Sequence, residues 1–306
     1  MKIEKSIDLD LTQYSGQTSQ APWKNIDKTF EELLFINNQA ILIKLTQKNN
    51  TLIYNYELPL DCDYTVKNKD IEREIANIFD LNFDLDKFYT FLKDDEKLSP
   101  SIDFCKNLRL FLAKDKFECI ISSISSSNNS IARWTSSIDK IKSLWGEEYK
   151  FPSGTFYSFP KVKSLENRYV DDDEDLENCG NTLKSCGVGY RSSYIKNASK
   201  FFLEYDLNEI SKMDYEEAFK FIQEVPGVGP KVADCILLYG FNFREAFPTD
   251  VWIKRIISHL YFDNEDISVK KIREFGLENF KENAGYIQLY LFHYARKSGM
   301  LKKLKR

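Results

Sequence analysis

Metal-binding residues are scarce in this chain. It has only two histidines, His259 and His293, and its six cysteines, Cys62, Cys105, Cys119, Cys179, Cys186 and Cys235, never fall at CxxC spacing. That argues against a structural zinc site and a disulfide framework, and it fits a reducing compartment. A metal-dependent reaction has little to build on, so neither metal nor cofactor is expected. Long apolar runs are missing as well. No segment approaches the roughly 20 apolar residues that span a bilayer. No N-terminal stretch sets a charged region ahead of an apolar run, so a cytoplasmic protein with no membrane contact is expected. The abundance of Lys, Asn and Ile suggests a bacterial source. Internal repeats and low-complexity linkers are absent, which leaves ordinary folded domains. An excess of positive charge is lacking too, since 43 Lys and Arg stand against 47 Asp and Glu for a net −4.

Core-forming residues are plentiful. At 306 residues, 42% hydrophobic and 14% aromatic, the chain can fill two or three sizeable cores. Leu33 to Ile36, Ala40 to Leu45 and Thr51 to Tyr56 read as short strands, with Asn37-Asn38 and Asn49-Asn50 between them, which predicts a β-meander. The period then becomes helical. Ile71, Ile75, Ile78 and Phe79 share one face, as do Phe117, Ile120, Ile121 and Ile124. Ile131, Trp134, Ile138, Ile141 and Trp145 form another stripe, and Tyr194, Ile195, Ala198, Phe201 and Phe202 a further one. A sheet followed by continuous helix predicts an α+β protein. The break at Leu98-Ser99-Pro100-Ser101 divides it into residues 1–98 and 99–306.

The most telling stretch is Gly227-Val228-Gly229-Pro230-Lys231-Val232-Ala233-Asp234-Cys235. A glycine hairpin here enters a helix with a lysine in its first turn, where the macrodipole is already positive. With partial burial, that dipole predicts a lysine shifted towards the neutral amine, the form that attacks an electrophilic carbon. The glycines remove Cβ atoms, so backbone NH groups can approach a phosphate. Lys231 and Cys235 share one helical face, and Gln288 and Phe292 another, so the two faces could sandwich a planar base. Plainer readings stand beside these. Lys231 is a surface cation paired with Asp234, Asp250 is an N-cap, and Cys235 and Phe292 are core residues.

Val225-Pro226-Gly227-Val228-Gly229-Pro230-Lys231, followed by Phe247-Pro248-Thr249-Asp250, resembles the helix-hairpin-helix-GPD signature of base-excision DNA glycosylases, and within it the 8-oxoguanine DNA glycosylase branch. Ser126 to Arg133, Gly187 to Arg191 and Ala284 to Phe292 match that branch in order, and Ser15-Gly16-Gln17 is similar to the start of its N-terminal motif. Departures are Thr18-Ser19-Gln20-Ala21-Pro22-Trp23 for phenylalanine-arginine-tryptophan, Ser130 for a third asparagine, Pro230 before the lysine, and Trp252 for a phosphate-touching histidine. Trp252 reads equally as a core residue. The scattered cysteines leave no ligands for the iron-sulfur loop of some other members.

The resemblance implies an N-terminal antiparallel sheet packed on two helical subdomains, with DNA crossing the cleft between them. It implies a monomer that flips 8-oxoguanine, opposite cytosine by preference, out of double-stranded DNA. Lys231 would attack C1′ and form an imine that leads to β-elimination, with Asp250 stabilising the cationic sugar. Gly16, Cys235, Gln288 and Phe292 would form the base pocket. Gly227, Val228 and Gly229 would hold a phosphate. Asn128, Arg133, Tyr190 and Arg191 would clamp the orphaned cytosine, although both arginines read equally as phosphate contacts. The charge is not against this, because the part from Lys231 onward has 14 basic and 9 acidic residues. The basic tail from Arg296-Lys297 to Arg306 reads as a phosphate track or as a frayed end, and the acidic run 171–175 as a loop facing away from DNA. Two rivals remain open: a monofunctional alkylbase DNA glycosylase and a non-catalytic helix-hairpin-helix DNA-binding protein.

Overall fold

In the computed structural model, which describes residues 1–166 and 182–304, the chain begins as a five-stranded antiparallel sheet. Its strands are β1 (Lys2–Glu4), β2 (Lys24–Ile26), β3 (Thr29–Ile36), β4 (Gln39–Lys48) and β5 (Thr51–Glu57), in the order β1-β5-β4-β3-β2. Asn37 and Asn38, with φ of 51° and 66°, close the β3–β4 hairpin, where a tight turn needs two left-handed residues. The meander was legible; β1 and β2 were not. Each has three residues and little buried apolar surface, so no alternation marks it. The acidic run and Cys179 lie outside the described residues.

Helix Asn68–Ile78 covers one face of the sheet, and Trp23, Phe30, Ile43, Tyr54, Ile75 and Phe79 fill the space between. Phe111 enters the same core from the far side of the next helices. Leu85, Phe88 and Leu92, ahead of residue 98, already belong to the core of the helical body. Continuous helix is interrupted by a ribbon, β6 (Glu148–Phe151) paired with β7 (Gly154–Tyr157), which packs on β3.

Ion pairs join the sheet to the helices. Glu32 on β3 meets Lys114 at 3.6 Å and Lys142 at 3.4 Å, and Arg244 meets Asp80 at 2.6 Å. Asp80 also accepts a hydrogen bond from the buried Tyr286 hydroxyl at 3.0 Å. Burial opposes charge on Glu32, yet the two lysines outweigh it and hold its carboxyl below the usual range. In the helical body, Lys116–Ser126 packs along Pro230–Phe241, and Val251–Tyr261 along Ala284–Lys297.

One stripe residue is not core. Ile131 opens helix Ile131–Trp145 and is exposed, because a first-turn residue has no preceding turn to cover it. The tail is not frayed as far as Leu304, whose carbonyl accepts from Arg255 at 3.4 Å.

Candidate active site

Helix Tyr215–Gln223 ends just before the hairpin, and the chain reverses at Gly227, whose φ is +91°. The ring of Tyr194 lies where a Cβ on Gly227 would stand, so only glycine fits this turn. Val228 is buried beneath the turn and donates to the Val225 carbonyl at 3.0 Å. Open space surrounds Gly229, which caps helix Pro230–Phe241 without any side-chain partner for the first NH groups. Pro230 takes the first helical position, where its missing NH costs nothing.

Lys231 follows at once and is half-buried. Burial acts to lower its pKa, but the Cys235 sulfur and the Asp250 carboxylate outweigh burial and move it upward. Cys235 moves upward as well, pushed by its own burial against the charge of Lys231. Both groups therefore hold their protons at neutral pH. The direction is opposite to the shift expected from the helix dipole, because Cys235 first and Asp250 second favour the charged form. The pairing with Asp234 is excluded too. Asp234 is fully buried and takes Arg273 at 2.6 Å and the Tyr215 hydroxyl at 2.6 Å.

Asp250 caps helix Val251–Tyr261, with Oδ1 accepting from the Trp252 and Ile253 NH groups at 2.9 and 2.8 Å. The same carboxylate lines the cavity that contains Lys231, so capping and facing the lysine coexist. Trp252 is half-buried, with the Arg255 guanidinium 5.2 Å from its ring centre.

That cavity, about 90 Å³, brings Gly16, Cys235, Gln288 and Phe292 together with Lys231 and Asp250. A larger hollow of about 380 Å³ on the sheet also sets a lysine beside a carboxylate, Lys44 3.5 Å from Glu31, but that lysine starts no helix and has no glycine hairpin ahead of it, so the motif and not volume marks the site. Gly16 has φ +92°, and a Cβ there would stand 2.7 Å from Cδ1 of Ile131. The buried side-chain oxygen of Gln288 has no hydrogen-bond partner, which leaves it available to a ligand. Thr18, which sequence reasoning passed over, also lines the cavity; its hydroxyl reaches Cys235 and lies 3.3 Å from that of Ser123. Among the described residues no group of three His, Cys, Asp or Glu is placed to hold a metal.

The clamp residues gather at a separate edge. Asn128 is exposed with φ +49°, between helices Lys116–Ser126 and Ile131–Trp145. Arg133, one turn later, is exposed, and so is Tyr190. Arg191 is not. It is 7% exposed, donates to the carbonyls of Ser127, Asn128 and Val188, and lies 4.4 Å from the Tyr190 ring centre. A guanidinium engaged this way has most of its donors turned to the protein's own backbone. It ties the two clamp segments together.

Residues 1–120 match the model of the 8-oxoguanine DNA glycosylase N-terminal domain, and residues 121–282 that of the HhH-GPD superfamily base excision DNA repair protein. A probable N-glycosylase/DNA lyase of Methanothermobacter thermautotrophicus is 44% identical over 98% of this chain and 96% of its own. The Clostridium acetobutylicum 8-oxoguanine glycosylase/lyase, solved with double-stranded DNA containing cytosine opposite 8-oxoG, is 27% identical with a TM-score of 0.79 over 96% of this chain and 93% of its own. A 3-methyladenine DNA-glycosylase from Archaeoglobus fulgidus, 21% identical with a TM-score of 0.77 over 97% and 98% of the two chains, shares the fold. With both halves of the chain matched and the lysine and aspartate of the motif meeting in one cavity, the chain belongs to the 8-oxoguanine DNA glycosylase/lyase family of the helix-hairpin-helix-GPD superfamily.

Proposed function

We propose that Lys231 is the nucleophile of an 8-oxoguanine excision that ends in strand cleavage, and that the cavity it shares with Asp250, Gly16, Cys235, Gln288 and Phe292 is the base pocket. The observation that supports this most directly is the meeting of all six residues around one space. Double-stranded DNA would bind with a flanking phosphate at the uncapped helix start behind Gly227, Val228 and Gly229. The lesion nucleotide is turned out of the stack into the cavity.

Lys231 rests as an ammonium, so attack on C1′ begins with loss of a proton, which neutralises the departing base. A second proton passes from nitrogen to O4′ as the sugar ring opens to a protonated imine. Loss of a C2′ proton then expels the 3′ phosphate. The Asp250 carboxylate stabilises positive charge developing on the sugar. Gly16 offers a carbonyl to the N7 proton that distinguishes 8-oxoguanine from guanine. Asn128 fills the vacated stack, Tyr190 wedges beside the orphaned cytosine, and Arg133 donates to its N3 and O2, giving the preference for cytosine. The protein acts as a monomer.

Borohydride trapping with duplex carrying 8-oxoguanine opposite cytosine tests the nucleophile. The parent should form a covalent adduct; Lys231→Gln should bind duplex yet give neither adduct nor free base. An adduct that persists in Lys231→Gln assigns the chemistry to another amine. Base release by the parent without any adduct would favour the monofunctional alkylbase reading, which a lysine in this cavity opposes.

A further inference from the structure

Arg296 touches both walls of the cavity. It sits in the last turn of helix Ala284–Lys297, where a cation suits the dipole, as the adjacent Lys297 also does. Its Nη1 donates to the Ser15 carbonyl at 3.2 Å, across 281 residues of sequence. Its guanidinium lies 5.6 Å from the Phe292 ring centre. The same Nη1 is 3.4 Å from the place a Cβ would occupy on Gly16. The loop has other anchors, among them Thr18 on Ser123 and Cys235. The Ser15 hydroxyl donates to Thr12, and the Gln17 amide bonds the backbone at Arg109 and Phe111. Arg296 thus ties this loop to the helix that carries Gln288 and Phe292.

The geometry points to Arg296 as a positioning residue for lesion discrimination, an inference that rests on reading the cavity as the base pocket. The Ser15 carbonyl belongs to the rigid peptide plane that enters Gly16, so holding it anchors the backbone from which the Gly16 carbonyl projects. The plane over Phe292 sets the opposite wall. One side chain thereby fixes the spacing between the acceptor for the N7 proton and the stacking face. A carbonyl that drifts meets the N7 proton of 8-oxoguanine less well and repels the N7 lone pair of guanine less strongly. Arg296 is exposed to solvent, so the rival role is a DNA phosphate contact.

Arg296→Met keeps the stem along Phe292 and removes the donors; Arg296→Lys keeps the charge without the planar fork. Both are compared with the parent on duplex with 8-oxoguanine opposite cytosine and on the same duplex with a preformed abasic site. In both variants single-turnover excision of the lesion should fall about tenfold, the loss of one charge-assisted hydrogen bond, while strand cleavage at the abasic site stays at the parent level. Preference for lesion over guanine duplex should narrow in parallel. Equal losses on both substrates with a shallower salt dependence, and recovery in Arg296→Lys, would overturn the inference in favour of a phosphate contact. No loss on either substrate would overturn it outright. A parent that releases no 8-oxoguanine would remove the base-pocket reading itself, whatever the variants do.

Discussion

The proposed base pocket and the proposed clamp are built differently. The pocket's groups are held in place: Gly16 lies in a loop anchored on both sides, Cys235 is 3% exposed, and Gln288 and Phe292 ride on a helix whose neighbours Leu289 and Leu291 are deep in the core. The clamp shows the reverse. Asn128, Arg133 and Tyr190 stand in solvent, and only Arg191 behind them is tied down. A pocket that must separate two bases differing at one carbonyl and one proton gains from rigidity, because a group displaced by about 1 Å loses much of its selectivity. A clamp that replaces lost stacking and pairing can take shape on contact.

The sharpest way to break this comparison is at the acid. Asp250→Asn keeps an N-cap of similar strength, so thermal stability should hold. Single-turnover excision should nonetheless fall by about 10²–10³, in the range of lost transition-state electrostatics. Unchanged kinetics would reduce Asp250 to a cap. Phe292→Ala removes a stacking face of roughly 1–3 kcal/mol, so lesion affinity should drop about 5- to 150-fold. Equal binding of lesion duplex by variant and parent would move the base elsewhere.

Acid should loosen the pocket side. His293, next to Phe292 and 4% exposed, is pulled down to about 4 by burial and by the charges of Lys297 and Arg296. Its folded value lies below its unfolded one, so the folded state refuses a proton that the unfolded chain accepts. Stability from this group is full above about pH 6.5 and declines as pH falls towards 4. Denaturant titrations should show a loss of about 2 kcal/mol from it by pH 5, absent in His293→Phe. An identical slope in the variant would assign the acid sensitivity to other groups.

The smallest effects compare two arginines of one clamp. Arg133→Ala should leave stability unchanged and narrow the difference in excision opposite cytosine and adenine by about tenfold. A uniform loss with the preference intact would make Arg133 a phosphate contact. Arg191→Ala should instead lower stability by about 1.5–3 kcal/mol, since the carbonyls of Ser127, Asn128 and Val188 lose their donors. A stable Arg191→Ala with altered base preference would reverse the assignment.

Sequence revealed what is local. Paired asparagines marked the hairpins, and the glycine-lysine turn with its distant aspartate marked the cavity, because each depends on backbone geometry within a few residues. It could not reveal partners supplied from far along the chain. Nothing near Lys231 in sequence says that Asp234 is held by Arg273 and Tyr215. Arg191 looked like a reader of bases from its neighbours, whereas its direction is set by carbonyls more than 60 residues away. Arg296 showed only as part of a basic tail and Thr18 only as a departure from a motif, and neither pattern says what the side chain touches. The ribbon β6–β7 was hidden because four-residue strands carry too little alternation to stand out between helices.

Tyr194 gives the glycine hairpin and Tyr190 a common support. One side of its ring fills the space beneath Gly227, and Tyr190 meets it edge-on with centres 6.0 Å apart. The hairpin turn and the exposed tyrosine therefore lean on one aromatic ring, so a substitution of Tyr194 would unsettle both at once.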